Sequence, residues 1–114
     1  MAAMATDCIF CKIAAGDIPV TPVLKTELVT VFPDIQPQAP THLLVIPNTH
    51  TASLNETDTP ELLGALLMAV RQVTAQLGLH DYRTVINTGA GAGQSVFHLH
   101  VHVLAGRPLA WPPG

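Results

Sequence analysis

Apolar residues along this chain change their spacing from segment to segment, and each change predicts an element. The most regular alternation lies near the C-terminal end, where Phe97, Leu99, Val101 and Val103 alternate with His98, His100 and His102. Side chains of a β-strand point to opposite faces with a period of two. A strand over residues 98–104 is therefore expected, with the apolar set towards the core and three imidazoles in a row on the other face. A dense apolar run over 42–46, stopped by Pro47 and Asn48, predicts a second strand. Residues 23–25, 28–32 and 82–87 predict three more, while Pro33, Pro37 and Pro40 keep the chain after the second of these extended.

Helical spacing appears twice. Leu63, Leu66, Leu67, Val70, Val73 and Leu77 recur at three- and four-residue steps, which predicts one buried stripe. Asp58-Thr59-Pro60-Glu61 supplies a cap, an early proline and an early acid, and Gly78 a left-handed stop. A short helix over 8–15 has Ile9, Phe10 and Ile13 on one side, Thr6 or Asp7 as cap and Gly16 as end. Short links and one long helix predict an antiparallel α+β sandwich: about five strands, one long and one short helix. The 114 residues make one domain, with residues 1–6 as a flexible lead-in.

Composition narrows the function classes. Charged residues are only 11% of the chain against 48% hydrophobic, low for a monomer surface, so part of the apolar surface is expected to be covered by a second copy. The formal charge of −3 argues against a nucleic-acid backbone as partner, which needs a basic face, but leaves room for a mononucleotide. The run around 62–70 is too short and interrupted to span a bilayer. Residues 1–7 have no basic start and no long apolar core, so the expected location is cytoplasmic.

The histidine row carries the chemistry. Its plain reading is an amphipathic strand; its functional readings are a metal site or nucleophilic catalysis near neutral pH. A neutral imidazole can attack phosphorus and leave as a covalent nucleotidyl group, provided its other nitrogen donates to a fixed acceptor. Gly89-Ala90-Gly91-Ala92-Gly93 lies between two strands, so it is no dinucleotide fingerprint. It reads either as a long hairpin loop or as an anion-binding nest, with Gln94 and Ser95 adding polar groups beside the histidines. Cys8 and Cys11 read as core cysteines, as a dithiol pair, or as half of a zinc site completed by His50 and a member of the row. His80 reads as a surface residue near a helix end. Trp111, before Pro112-Pro113-Gly114, reads as an indole held to stack on a partner or a base.

Together these residues resemble the histidine triad superfamily, whose signature is His-x-His-x-His among hydrophobic residues. The resemblance covers nearly the whole chain, through 7–13, 32–35, 37–42, 44–47, 93–104 and 111–114. The terminal Trp111-Pro112-Pro113-Gly114 is similar to the Hint branch, the histidine triad nucleotide-binding proteins. That resemblance implies a homodimer that hydrolyses purine nucleoside phosphoramidates, adenosine monophosphoramidate being the reference substrate. It implies His100 as nucleophile, His102 on the α-phosphate, and His98 and His42 as the surrounding shell. Asp34 would hold the ribose hydroxyls and Ile35 the base. Asn87, Gly93, Gln94 and Ser95 would meet the phosphate and leaving group. Trp111, in a tail over 105–114, would reach the partner's site. The zinc ligands of family members align with Cys8, Cys11, His50 and His98, and the ion would be structural, since many Hint members lack the cysteines and act without metal. Residues 108–110 are less typical of the branch. The rival readings are a non-catalytic nucleotide-binding or regulatory module, and a hydrolase with a catalytic metal on the histidine row.

Overall fold

The computed structural model describes residues 7–114. The segment 1–6 and the Thr6 cap lie outside the described residues. Along the chain run α1 (Ile9–Ala15), β1 (Leu24–Lys25), β2 (Val29–Pro33), β3 (Thr41–Pro47), α2 (Pro60–Gln76), β4 (Tyr82–Val85) and β5 (Val101–Ala105), with 3-10 turns at Leu54–Glu56 and Ala90–Ala92. The strands form one sheet in the order β1-β2-β3-β5-β4, antiparallel at every junction. The expected α+β architecture, with five strands, one long helix and one short, is the one observed. Among the described residues no helix is long and apolar enough to cross a membrane.

The two-residue period decides what each face of the sheet carries. Val29 and Val31 of β2, Leu43 and Val45 of β3, and Val101 and Val103 of β5 bury one face against Leu66, Ala69, Val70 and Val73 of α2. Phe32, Leu44 and Ile46 bury the other against Phe10 and Ala14 of α1. The register pairs Leu44 with His102 and His42 with Leu104. Histidines of β3 and β5 therefore share the α1 face, on the side opposite the long helix. Lys25 fastens α1 at its C-terminal end: its Nζ donates to the Ala14 carbonyl at 2.7 Å and to Thr30 Oγ1 at 3.0 Å. A cation there also complements the helix dipole.

Several expectations are corrected. The histidine strand begins only at Val101, so His98 and His100 lie in the irregular segment that leads into it. Pairing further back would bring Leu99 opposite Pro47, which has no N–H for a ladder; the Leu99 N–H is instead bonded to the Thr51 carbonyl at 2.6 Å. Phe97 does not join the core and is 52% exposed. In α2, Leu67 and Leu77 are exposed, and Ala69 and Thr74 complete the buried stripe, because the strip facing the sheet is narrower than the apolar pattern. Cys8, not Asp7, caps α1: its Sγ accepts from the Cys11 N–H at 3.3 Å. Thr59 and Pro60 open α2 as expected, but the Thr59 side chain makes no cap bond. The helix ends as expected at Gly78, whose φ of 67° lets its N–H and that of Leu79 reach back to the carbonyls of Ala75 and Thr74. β4 stops at Val85, two residues short of the expected end.

Candidate functional site

Two clusters meet on the α1 face, and His98 links them. The first joins the N-terminal turn of α1 to the segments after β3 and before β5. His98 is fully buried. Its Nε2 lies 2.8 Å from the Pro47 carbonyl, so that nitrogen donates and Nδ1 keeps a bare lone pair. Nδ1 lies 3.3 Å from Cys8 Sγ and 3.5 Å from Cys11 Sγ, and His50 Nδ1 lies 3.3 Å from Cys11 Sγ. All four ligand atoms fall within 4.8 Å of one another. Tetrahedral zinc with ordinary Zn–S and Zn–N bonds would separate its sulfur and nitrogen ligands by roughly 3.5 Å. The donor set, the spacing and the carbonyl that orients His98 all fit such an ion. Burial pushes His98 down to about 4, with the Pro47 bond opposing and His50 and His100 reinforcing, so the ring is a neutral ligand at neutral pH.

The second cluster is built from hydrogen bonds between imidazoles. The Gln38 N–H donates to His42 Nδ1 at 3.0 Å, so the hydrogen of this neutral ring sits on Nε2. His42 Nε2 in turn lies 2.9 Å from His102 Nδ1 and 3.4 Å from Asp34 Oδ2. His102 Nδ1 accepts, which leaves Nε2–H of His102 as a free donor. Burial, followed by His100 and His42, pushes His102 down to about 4 against the pull of Asp34. His42 is likewise lowered by burial, with Asp34 opposing. Asp34, His42 and His102 also gather three ligand atoms. His42, however, offers a hydrogen there and not a lone pair, which disfavours a cation at that point.

His100 uses its nitrogens the other way round. Its Nδ1 donates to the His98 carbonyl at 2.7 Å, so Nε2 carries the lone pair. Phe10 meets the ring edge-on at 5.2 Å and His102 lies at 4.9 Å between ring centres, which fixes its plane. His100 and His102 form one end of a cleft of about 330 Å³. Its walls are Ile9, Phe10 and Ile13 of α1, Val20, Phe32 and Leu44, with Asp34, Ile35, Gln36, Ser95 and Val96 at the margins. The arrangement sets a nucleophilic lone pair beside a hydrogen-bond donor at the end of an apolar slot bordered by a carboxylate.

Of the residues singled out in the sequence, His42, His100, His102, Asp34, Ile35 and Ser95 come together here, and Cys8, Cys11, His50 and His98 next door. The others lie apart from the cleft. Gln94 is buried and its amide is engaged internally: Oε1 accepts from the Gly89 N–H at 2.8 Å, and Nε2 donates to the Ala52 and Val96 carbonyls. Asn87 donates to the Ala92 carbonyl at 2.8 Å, and Gly93 packs beside Asn87. Trp111 is 82% exposed, beside Arg83, Thr84 and Val85. His80 is exposed as expected and lines a larger, open concavity of about 700 Å³ that holds no member of the histidine row. Sequence reasoning missed the apolar cleft wall and the Gln38 N–H. The α1 periodicity carried a signal for the wall; nothing in the sequence marked the N–H.

The model of the HIT domain matches residues 15–109. The chain belongs to the HIT domain family. An uncharacterized HIT-like protein of Synechococcus elongatus is 51% identical over 114 residues, covering 97% of this chain and 100% of that protein. The 14 kDa zinc-binding protein of Zea mays is 49% identical over 112 residues, covering 93% of this chain and 87% of its own. Among solved structures, a HIT family hydrolase from Legionella pneumophila Philadelphia 1 superposes with a TM-score of 0.90 at 46% identity, covering 95% of this chain and all of that one. Both cysteines lie ahead of the matched HIT domain, so the thiol cluster joins the N-terminal turn to the domain proper.

Proposed function

We propose that this HIT protein is a hydrolase of purine nucleoside phosphoramidates, of the adenosine 5′-monophosphoramidate class, working through a nucleotidyl group carried on His100. The observation that carries the reading is the 2.7 Å bond from His100 Nδ1 to the His98 carbonyl, which in the neutral ring puts the lone pair on Nε2. The kinship to a protein described as a HIT family hydrolase supports the reaction class.

In the first step the Nε2 lone pair attacks phosphorus, a P–N bond to the ring forms and the substrate's P–N bond breaks. The departing nitrogen takes up a proton, for which the Ser95 hydroxyl on the cleft margin is the candidate relay. In the second step water attacks phosphorus, His100 leaves with its lone pair restored, and a nucleoside monophosphate and a proton are released. Splitting the reaction this way replaces one hard displacement with two easier ones. His102 Nε2–H supplies a hydrogen bond to a phosphate oxygen as charge develops. His42 and His98 are the surrounding shell, Asp34 takes the ribose hydroxyls, and Ile35, 88% exposed, covers the base. Asn87, Gly93 and Gln94 brace the loop that carries Ser95, Asn87 through the Ala92 carbonyl and Gln94 through Gly89, Ala52 and Val96.

The same reading places the protein in the Hint branch as a cytoplasmic homodimer of one domain, its tail carrying Trp111 to the partner's cleft. Zinc on Cys8, Cys11, His50 and His98 is structural: all four tetrahedral positions are taken by protein, leaving none for substrate. The zinc-binding name of the maize relative supports the choice of ion. The test is intact-mass measurement of protein quenched during turnover of adenosine 5′-monophosphoramidate. A nucleotidyl adduct mapped to His100 is expected; turnover with no adduct on His100 at any quench time rejects the mechanism.

A further inference from the structure

Beyond the histidines themselves, one hydrogen-bonded path reaches the cleft from the far end of the chain. After β5 the backbone turns at Gly106, with φ of 98°, directly against Pro40: a Cβ on Gly106 would fall 2.8 Å from Pro40 Cβ. This close approach brings Arg107 over the loop between β2 and β3, where its Nε donates to the Gln38 carbonyl at 2.9 Å. Gln38 is the residue whose N–H donates to His42 Nδ1. Little else holds the middle of the loop. Pro37 and Pro40 have no N–H, and the segment is largely exposed. Its other bonds are Asp34 N–H to the His42 carbonyl at 2.9 Å, Gln36 N–H to Asp34 Oδ1 and Gln38 Nε2 to the Gln36 carbonyl, and none of them holds the Gln38 backbone.

We infer that Arg107, seated by Gly106, is a positioning residue that sets the tautomer of His42 and, through it, the donor that His102 presents to the cleft. The path runs from the Arg107 guanidinium to the Gln38 carbonyl, from the Gln38 N–H to His42 Nδ1, and from His42 Nε2–H to His102 Nδ1. Each link fixes the next. If Gln38 swings away, His42 Nδ1 loses its donor; only Asp34 Oδ2, 3.4 Å from Nε2, then still favours the hydrogen there, and the ring can carry it on Nδ1 instead. Nε2 then has none to give, and His102 must place its own hydrogen on Nδ1 to keep the bond. The nitrogen of His102 facing the cleft becomes an acceptor and repels a phosphate oxygen. Arg107 touches no substrate in this scheme. The structural part stands on the observed bonds; its effect on turnover rests on the phosphoramidate reading above.

The test uses full-length protein and nitrogen NMR of the imidazole rings, which reports directly which nitrogen bears the hydrogen. In the unaltered protein His42 is expected with Nδ1 bare and His102 with Nε2 protonated. In Arg107→Ala, and independently in Gly106→Ala, the Nδ1–H form of both rings should become populated. Phosphoramidate kcat should fall on the order of tenfold, short of the loss from a wrong tautomer held throughout, with KM changed less. Arg107→Lys, which keeps one donor for the Gln38 carbonyl, should restore the original tautomers and most of kcat. If both rings keep their original tautomers in Arg107→Ala at neutral pH, the inference is overturned, whatever happens to kcat. If instead the tautomers shift as expected but the unaltered protein turns over no phosphoramidate, Arg107 retains its role and the proposed function fails.

Discussion

The thiol cluster and the imidazole chain use the same side chain to opposite ends. In the first, His98 donates from Nε2 to the Pro47 carbonyl, and its lone pair on Nδ1 is directed at two sulfurs. In the second, His100 donates from Nδ1 to the His98 carbonyl, and its lone pair on Nε2 is directed at the cleft. Two residues apart, the rings differ in chemistry because each meets a different backbone carbonyl. The clusters are joined by one residue, whose side chain serves the first and whose carbonyl orients the second. A histidine's role here is therefore set less by its neighbours in sequence than by the acceptor that takes its hydrogen.

The contrast is broken most directly at the nucleophile. His100→Ala should lower phosphoramidate turnover by about four orders of magnitude, roughly 5.5 kcal/mol of barrier, while metal content stays at the unaltered level. Near-normal turnover in this variant would falsify the assignment of nucleophile. At the other cluster the effects should reverse. Cys8→Ser with Cys11→Ser should abolish zinc binding and lower unfolding stability by about 4 kcal/mol where the metal is on the order of a thousandfold above its Kd. Turnover should stay within about tenfold of normal, as it should after chelation, because no step passes through the ion. Activity restored only by added zinc would make the ion catalytic.

Acid should act on both clusters in metal-free protein, since His98 is lowered to about 4 as well. His102, lowered to about 4, and His42, also lowered, bind protons less readily folded than unfolded, where an imidazole titrates near about 6.5. Their contribution to stability is then complete above the unfolded value and is lost as pH falls towards the folded one. The urea midpoint should drop between about pH 7 and pH 5, and His102→Phe should make it drop less. An equal drop in both proteins would mean that other groups cause it. The smallest change is expected for His98→Cys, which keeps a fourth metal ligand and the backbone carbonyl that receives the His100 hydrogen. Zinc content should persist and kcat should fall no more than a few-fold; a loss as deep as that of His100→Ala would show that the His98 ring, and not its carbonyl, serves the reaction.

Much of this architecture was legible from spacing alone. The dense apolar run at residues 42–46, the alternation at 101–104 and the α2 stripe pointed to the sheet and to a helix packed on it, because burial demands a repeat that matches the element. The Cys8–Cys11 pair and the His-x-His-x-His run marked the two clusters. The errors lie where a second element overrides a local repeat. The alternation runs unbroken through His98, yet the strand starts at Val101, since Pro47 has no N–H to pair and the His98 ring is bonded to its carbonyl. The Gln94 amide is bonded to three backbone groups, which composition could not reveal.

By itself, the order of residues put His42 in step with Leu44 and Ile46, and His102 out of step with Val101 and Val103; that both rings fall on the α1 face was decided by the register of β3 against β5. Which nitrogen of each ring bears the hydrogen was decided only in three dimensions. The Pro47 carbonyl, the Gln38 N–H and the Arg107 guanidinium arrive from 51, 4 and 69 positions away from their partners. A proton's place on an imidazole depends on the direction of those groups to within a fraction of an ångström, and no periodicity in a linear chain encodes that.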